Sequence, residues 1–210
     1  QNYNVMTTKQ LFIDDFISYE HEAYESKGFL QAYGSGPKPI FKENIGLDVY
    51  LNIINQAKKY LYITTPYLIC DYSLLEALVL AKRRGVDVKL ITPHIPDKKT
   101  MFMLTRSNYK PLLEAGIEVY EYKPGFIHTK MFVCDDEYAT IGTVNLDYRS
   151  FIHHYECGLW MYKEASILDM KADFLDTASS DGIRMNLKKI RRPWIICILK
   201  DILKIFAPLF

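Results

Sequence analysis

YLYITTPYLICDYSLLEALVLAKRRGVDVKLI, residues 60–91, reads as a strand, a helix and a second strand in succession. Tyr60-Leu61-Tyr62-Ile63-Thr64 is rich in aromatic and β-branched side chains, which suit a pleated surface, and Pro66 stops it. Residues 74–84 place apolar side chains at helical spacing and end at Gly85, a natural helix stop. Residues 86–91 form the next strand. Working outward, a helix is predicted over residues 100–115, closed by Gly116 and broken or kinked by Pro111, and a strand over residues 117–120. Residues 130–134 and 138–142 read as two short strands joined by Asp135-Asp136-Glu137, an acidic turn of hairpin length, and residues 156–162 as a later strand. This alternation predicts an α/β layered domain, a central mixed sheet flanked by helices.

Composition narrows the function classes. A chain of 210 residues with 49% hydrophobic side chains is long enough for one substantial core. Cys70, Cys134, Cys157 and Cys197 have neither metal-ligand spacing nor the density of a disulfide scaffold, so they read as reduced and mostly packed. Carboxylates with calcium-loop spacing are also missing, and the chemistry is expected to need no metal and no cofactor. The sixteen tyrosines are scattered along predicted elements, which argues for packing and against a base-stacking platform.

The chemistry-bearing residues gather after the third predicted strand. In extended backbone alternate side chains share a face, so His128 and Lys130 are expected to point together, with Thr129 turned into the packing. An imidazole that is neutral near physiological pH can attack phosphorus or carry the proton of a leaving group. Lys130 and Asn145 supply donors for non-bridging phosphoryl oxygens, and Glu156 is the candidate to hold the imidazole tautomer. Asp135 reads as a structural carboxylate at its turn rather than a catalytic one. Gly142 ends its strand where the backbone must approach something closely. His94, in a loop after a strand end, and His153 are weaker candidates for substrate contact. His153 and His154, placed in extended chain, should face opposite ways.

The run His128, Lys130, Asp135, Gly142, Thr143, Asn145 resembles the signature of the phospholipase D superfamily, with Thr143 where many members carry Ser. Glu156 falls in the position of the family's downstream carboxylate. The phrases Gly34-Ser35-Gly36-Pro37, Thr65-Pro66-Tyr67, Arg84-Gly85-Val86-Asp87-Val88 and the stretch from Gly142 to Phe151 resemble its bacterial cardiolipin synthase branch. The resemblance spans roughly residues 28–160. It implies two such runs meeting at one site, one His as nucleophile and the other as general acid, and these 210 residues hold a single run. Residues 1–27 are therefore expected to be the tail of a preceding half, and residues 28–180 the phosphodiesterase-like domain. The implied reaction condenses two phosphatidylglycerol molecules to cardiolipin and glycerol through a phosphatidyl-histidine, with His128 favoured as the acid. A hydrolase, a nuclease or an inactive isolated half stays open.

Residues 181–210 differ from the rest. From Gly182 to Phe210 seven basic residues stand against Asp201, so this stretch carries +6 and the remainder −5, which together make the chain's net +1. At helical spacing Ile195, Ile198, Leu199, Ile202, Leu203, Ile205, Phe206 and Leu209 fall on one side, opposite Lys200, Asp201 and Lys204. That predicts a carboxy-terminal amphipathic helix, either lying in a membrane interface or packed on the core. The Lys188-Lys189-Ile190-Arg191-Arg192 cluster suits anionic phospholipid, whereas the net acidic body argues against nucleic acid. The resemblance implies a cell-membrane location with the domain on the cytoplasmic side.

Overall fold

A computed structural model describes residues 27–69 and 72–190. In chain order its elements are β1 (Phe29–Ser35), α1 (Ile45–Gln56), β2 (Tyr60–Thr64), β3 (Leu68–Ile69), α2 (Tyr72–Arg83), β4 (Asp87–Pro93), α3 (Lys99–Ser107) and α4 (Tyr109–Glu114). They continue with β5 (Glu118–Tyr122), β6 (Met131–Cys134), β7 (Tyr138–Gly142), β8 (Leu146–Asp147), a π-helical turn (Arg149–His153), β9 (Glu156–Tyr162), α5 (Ser166–Ser180), β10 (Gly182–Arg184) and α6 (Leu187–Ile190).

Eight strands form one mixed sheet in the order β1-β9-β7-β6-β2-β4-β5-β10. β2, β4 and β5 run parallel, and the remaining pairings are antiparallel. Both faces of the central strands are covered, which explains why β2 is apolar without interruption. Leu61 and Ile63 pack with Tyr50, Ile53, Leu78 and Leu112 under α1, α2 and α4. Tyr60 and Tyr62 turn the other way, onto Ile167, Phe174 and Ala178 of α5. The layered α/β architecture expected from the strand and helix alternation is thus present.

Local signals set the ends of these elements. Gly85, at φ +93°, closes α2, and Gly116, at φ +85°, follows α4. The predicted helix over residues 100–115 is two helices, but the break falls at Asn108 and not at Pro111. Asn108 is buried and donates from Nδ2 to the Leu68 carbonyl, 2.9 Å away. Pro111 sits in the first turn of α4, where a missing N–H costs no helical bond.

Residues 182–190, read from the sequence as the start of the tail, belong to the domain. Gly182–Arg184 pairs with Tyr120–Tyr122 at one edge of the sheet, and Met185 is buried in the core. The amphipathic segment expected beyond Trp194 lies outside the described residues, as do residues 1–26. No described helix is long and apolar enough to cross a membrane. Of the two described cysteines, Cys134 is packed and Cys157 is exposed, so the packing expected of the cysteines holds for only one of them.

Candidate active site

The carboxyl ends of β2 and β4 and the amino end of β6 share one edge of the sheet, since Thr64 pairs with both Ile91 and Met131. His128 and Lys130 lie just before β6 on that edge. Their stretch is not a strand, and the expected alternation fails: His128 and Thr129 are both exposed, while Lys130 is buried at 7% exposure. Thr129 does not enter the packing because the strand, and with it the alternation, begins only at Met131. Lys130 folds back so that Nζ donates to the His128 carbonyl oxygen at 2.7 Å.

The loop carrying Asn145 reaches the same edge by close packing. A side chain at Gly142 would meet the Cys157 carbonyl oxygen at 2.3 Å, which is the close backbone approach the glycine permits. Beyond it Thr143 is locked to β9: its N–H donates to the Cys157 carbonyl at 2.8 Å, and its hydroxyl oxygen accepts the Cys157 N–H at 2.9 Å. Tyr50 of α1, stacked on Phe132 with ring centroids 4.2 Å apart, donates its hydroxyl to the Val144 carbonyl at 2.5 Å. A two-rung parallel ladder then ties Leu68 to Leu146 and Ile69 to Asp147. Leu146 also donates its N–H to Thr65 Oγ1 at 3.4 Å.

Asn145 donates from Nδ2 to Ser150 Oγ at 3.0 Å, and its Oδ1 is buried without a partner among the described residues. Ser150 in turn donates its N–H to Asp147 at 2.7 Å and bonds the same carboxylate through its hydroxyl. Asp147, 2% exposed, had no role assigned from the sequence. Burial pushes its carboxyl above the usual value, and the neighbouring Glu156 adds to that, whereas the Ser150 bonds and His154 oppose it. An Asp three residues before a Ser in a turn was the available signal, since such pairs close local hydrogen bonds.

Charge links these residues to Lys130. Burial lowers the Lys130 ammonium from its ordinary value, and the Glu156 and Asp147 carboxylates resist that shift. His128 is held below its ordinary value first by burial and then by the Lys130 charge, while Asp97 pulls it upward. The imidazole is therefore neutral at neutral pH, the form that can accept a proton or attack phosphorus. Glu156 is buried, but no hydrogen bond joins it to His128 among the described residues. Its neighbour is His154, with Nδ1 3.6 Å from Oε1, so the orienting role expected of Glu156 toward His128 is not seen.

Three further sequence candidates are held by other neighbours. Asp135 stands at the far end of the β6–β7 hairpin and accepts the backbone N–H groups of Lys58, Lys59 and Tyr60 at 2.7 to 2.9 Å. His94 Nδ1 lies 2.8 Å from Glu121 Oε2, and Glu121 is fully buried between Arg106 and Tyr109. His153 belongs to the π-helical turn, not to extended chain, and lines a cleft of about 460 Å³ with Pro37, Phe41, Glu43 and Phe151. Asp97, by contrast, acts on His128 through its charge, and Tyr67 bonds Asp97 and lies against Phe126, whose ring neighbours His128; neither was singled out from the sequence as a site residue. Their contact depends on strand order, which local patterns do not encode.

A neutral imidazole, a buried ammonium, an amide and two carboxylates on one edge can bind and act on an anionic ester. The fold is that of the phospholipase D superfamily. The chain is similar to Nuc of Salmonella typhimurium (17% identity, TM-score 0.63, 76% of this chain and 99% of that one). It is also similar to phosphatidylserine synthase of Haemophilus influenzae (19% identity, TM-score 0.66, 86% of this chain and 46% of that one). Within that fold, residues 50–177 match the family model described as cardiolipin synthase, phospholipase D-like domain, and the chain belongs to that family. It is 34% identical over 209 residues to a cardiolipin synthase of Geobacillus kaustophilus, covering 100% of this chain and 41% of that protein. An uncharacterized protein of Streptococcus mutans is 46% identical over 165 residues, 76% of this chain and 36% of that protein. The chain thus spans well under half the length of these curated relatives.

Proposed function

We propose that this chain is half of a phosphatidyltransferase of the cardiolipin synthase kind, with His128 as one of two imidazoles at a phosphoryl-transfer site. The observation that carries this reading is the exposed His128 beside a buried Lys130, whose Nζ folds back onto the His128 carbonyl at the sheet edge. One imidazole nitrogen attacks the phosphorus of phosphatidylglycerol, and the bond to the glycerol oxygen breaks. The other imidazole gives that oxygen its proton, so glycerol leaves and a phosphatidyl-histidine remains. A hydroxyl of a second phosphatidylglycerol then passes its proton back to the second imidazole and attacks phosphorus, which forms cardiolipin and frees the first histidine. His128 is assigned the acid role, which it takes on once the anionic phosphodiester beside it has raised its proton affinity and the ring is protonated.

Lys130 and the second Nδ2 proton of Asn145 serve the non-bridging oxygens, where charge concentrates in the transition state. Glu156 and Asp147 keep Lys130 charged despite its burial. The second His-x-Lys run is supplied by a preceding half of a longer polypeptide, in keeping with the share of the relatives that this chain covers. Anionic phospholipid is the partner, and the exposed Lys188 and Lys189 begin the basic cluster that meets the cytoplasmic membrane surface.

Two measurements test this. Gel filtration with a turnover assay on phosphatidylglycerol vesicles should find the isolated 210 residues monomeric and inactive, and active once the missing half is added. An active dimer of this chain alone would overturn the assignment. With the longer polypeptide, radiolabelled phosphate should pass from lipid to protein as an acid-labile, base-stable adduct. Turnover of nucleic acid but not of lipid would replace the transferase by a nuclease.

A further inference from the structure

We infer that Tyr67, Asp97 and Phe126 form a lip that binds the hydroxyl groups of a glycerol-type headgroup beside His128. The inference rests on the phosphoryl-transfer reading of that histidine and names what is recognised next to the phosphate.

The lip is continuous. The Phe126 ring lies 5.5 Å from the His128 ring, tilted by 32°, and 6.2 Å from the Tyr67 ring, tilted by 47°. Tyr67 donates its hydroxyl to Asp97 Oδ2, and the Lys98 N–H donates to Asp97 Oδ1 at 2.6 Å. Asp97 is also near enough for its charge to act on His128. Its loop is anchored from beneath, because His94 at the loop's start is bonded to the buried Glu121, which Arg106 holds through both Nε and a terminal nitrogen.

A carboxylate beside an anion-binding site works against binding a bare phosphate, so its place there calls for another ligand group. Each Asp97 oxygen uses one of its acceptor positions on the protein and keeps capacity for another donor. The Asp97 side chain is exposed, and hydroxyl protons are the donors a phosphatidylglycerol headgroup offers. The Tyr67 and Phe126 rings present apolar faces to the C–H groups of the same headgroup. A simple alkyl ester satisfies the rings but leaves the carboxylate uncompensated, so the lip selects by repulsion as well as by attraction.

The test compares two probes of equal charge, glycerol phosphate and ethyl phosphate, titrated into the 210-residue chain and followed on the NMR signal of the His128 ring. The hydroxylated probe should bind about tenfold more tightly, the order expected for a hydrogen bond to a charged group. That preference should fall to about twofold or less in Asp97→Ala and to an intermediate value in Asp97→Asn, which keeps an acceptor oxygen without the charge. Equal binding of the two probes by the unsubstituted chain would overturn the lip and leave the phosphoryl site standing. If neither probe moved the His128 signal, the phosphoryl site would fail and the lip with it. A preference unchanged in both variants would also overturn the assignment to Asp97.

Discussion

The two ends of the β6–β7 hairpin treat polar groups in opposite ways. At the turn, Asp135 collects three backbone N–H groups, and both it and Asp136 adopt positive φ, a conformation that Asp tolerates better than most residues. The carboxylate is fully used, and it ties the hairpin to the start of β2. At the open end Lys130 is buried with its proton affinity lowered, Asp147 is buried with its own raised, and Asn145 Oδ1 lacks a partner among the described residues. One end stabilises the fold. The other holds groups in states that folding alone disfavours, which is the pattern expected of a site built for a ligand.

The largest effect should separate activity from stability. His128→Ala in the longer polypeptide should lower phosphatidylglycerol turnover by about a thousandfold, the scale of a lost acid, base or nucleophile. Its thermal midpoint should barely move, because the ring is exposed; a large drop in midpoint would place His128 in the structural group instead. Asp135→Ala should do the reverse, costing about 2 kcal/mol in urea denaturation through three orphaned N–H groups, while the folded fraction keeps its lipid turnover. Asn145→Ala should change stability by no more than about 1 kcal/mol, since it removes an unsatisfied oxygen along with the bond to Ser150, yet turnover should fall. A loss for Asn145→Ala as large as that for Asp135→Ala would erase the contrast between the ends.

The smallest effect concerns proton affinity. By NMR titration His128 should take up its proton below the ordinary imidazole range. Removing the Lys130 cation in Lys130→Met should raise that value, and removing the Asp97 anion in Asp97→Asn should lower it further. Shifts of the opposite sign would mean that the charges around His128 are misassigned.

Much of the layered fold was legible because its signals are local. Residues 60–64 and 156–162 announce their strands by side-chain type, and Gly85 and Gly116 announce helix ends by the conformation they allow. The Asn108 break was harder to place, since Pro111 carries the stronger helix-breaking signal but is harmless in a first turn. Of the site, the His128, Lys130 and Asn145 run could be read because it is contiguous apart from one hairpin. Asp147, Tyr67 and Asp97 could not be given roles, because their importance arises from burial and from the order of strands in the sheet. The expected pairing of Glu156 with His128 is not seen because His154, two residues earlier in the chain, stands beside that carboxylate instead.

The β3–β8 ladder has a consequence for motion. It has only two rungs and stands apart from the eight-stranded sheet, yet the segments flanking it bear Tyr67 on one side and Asn145 on the other. So small an array can part at far lower free energy than the long ladders behind it. Amide protons there should exchange with solvent while those of β2 and β4 stay protected, so the jaws beside His128 can breathe while the scaffold stays shut.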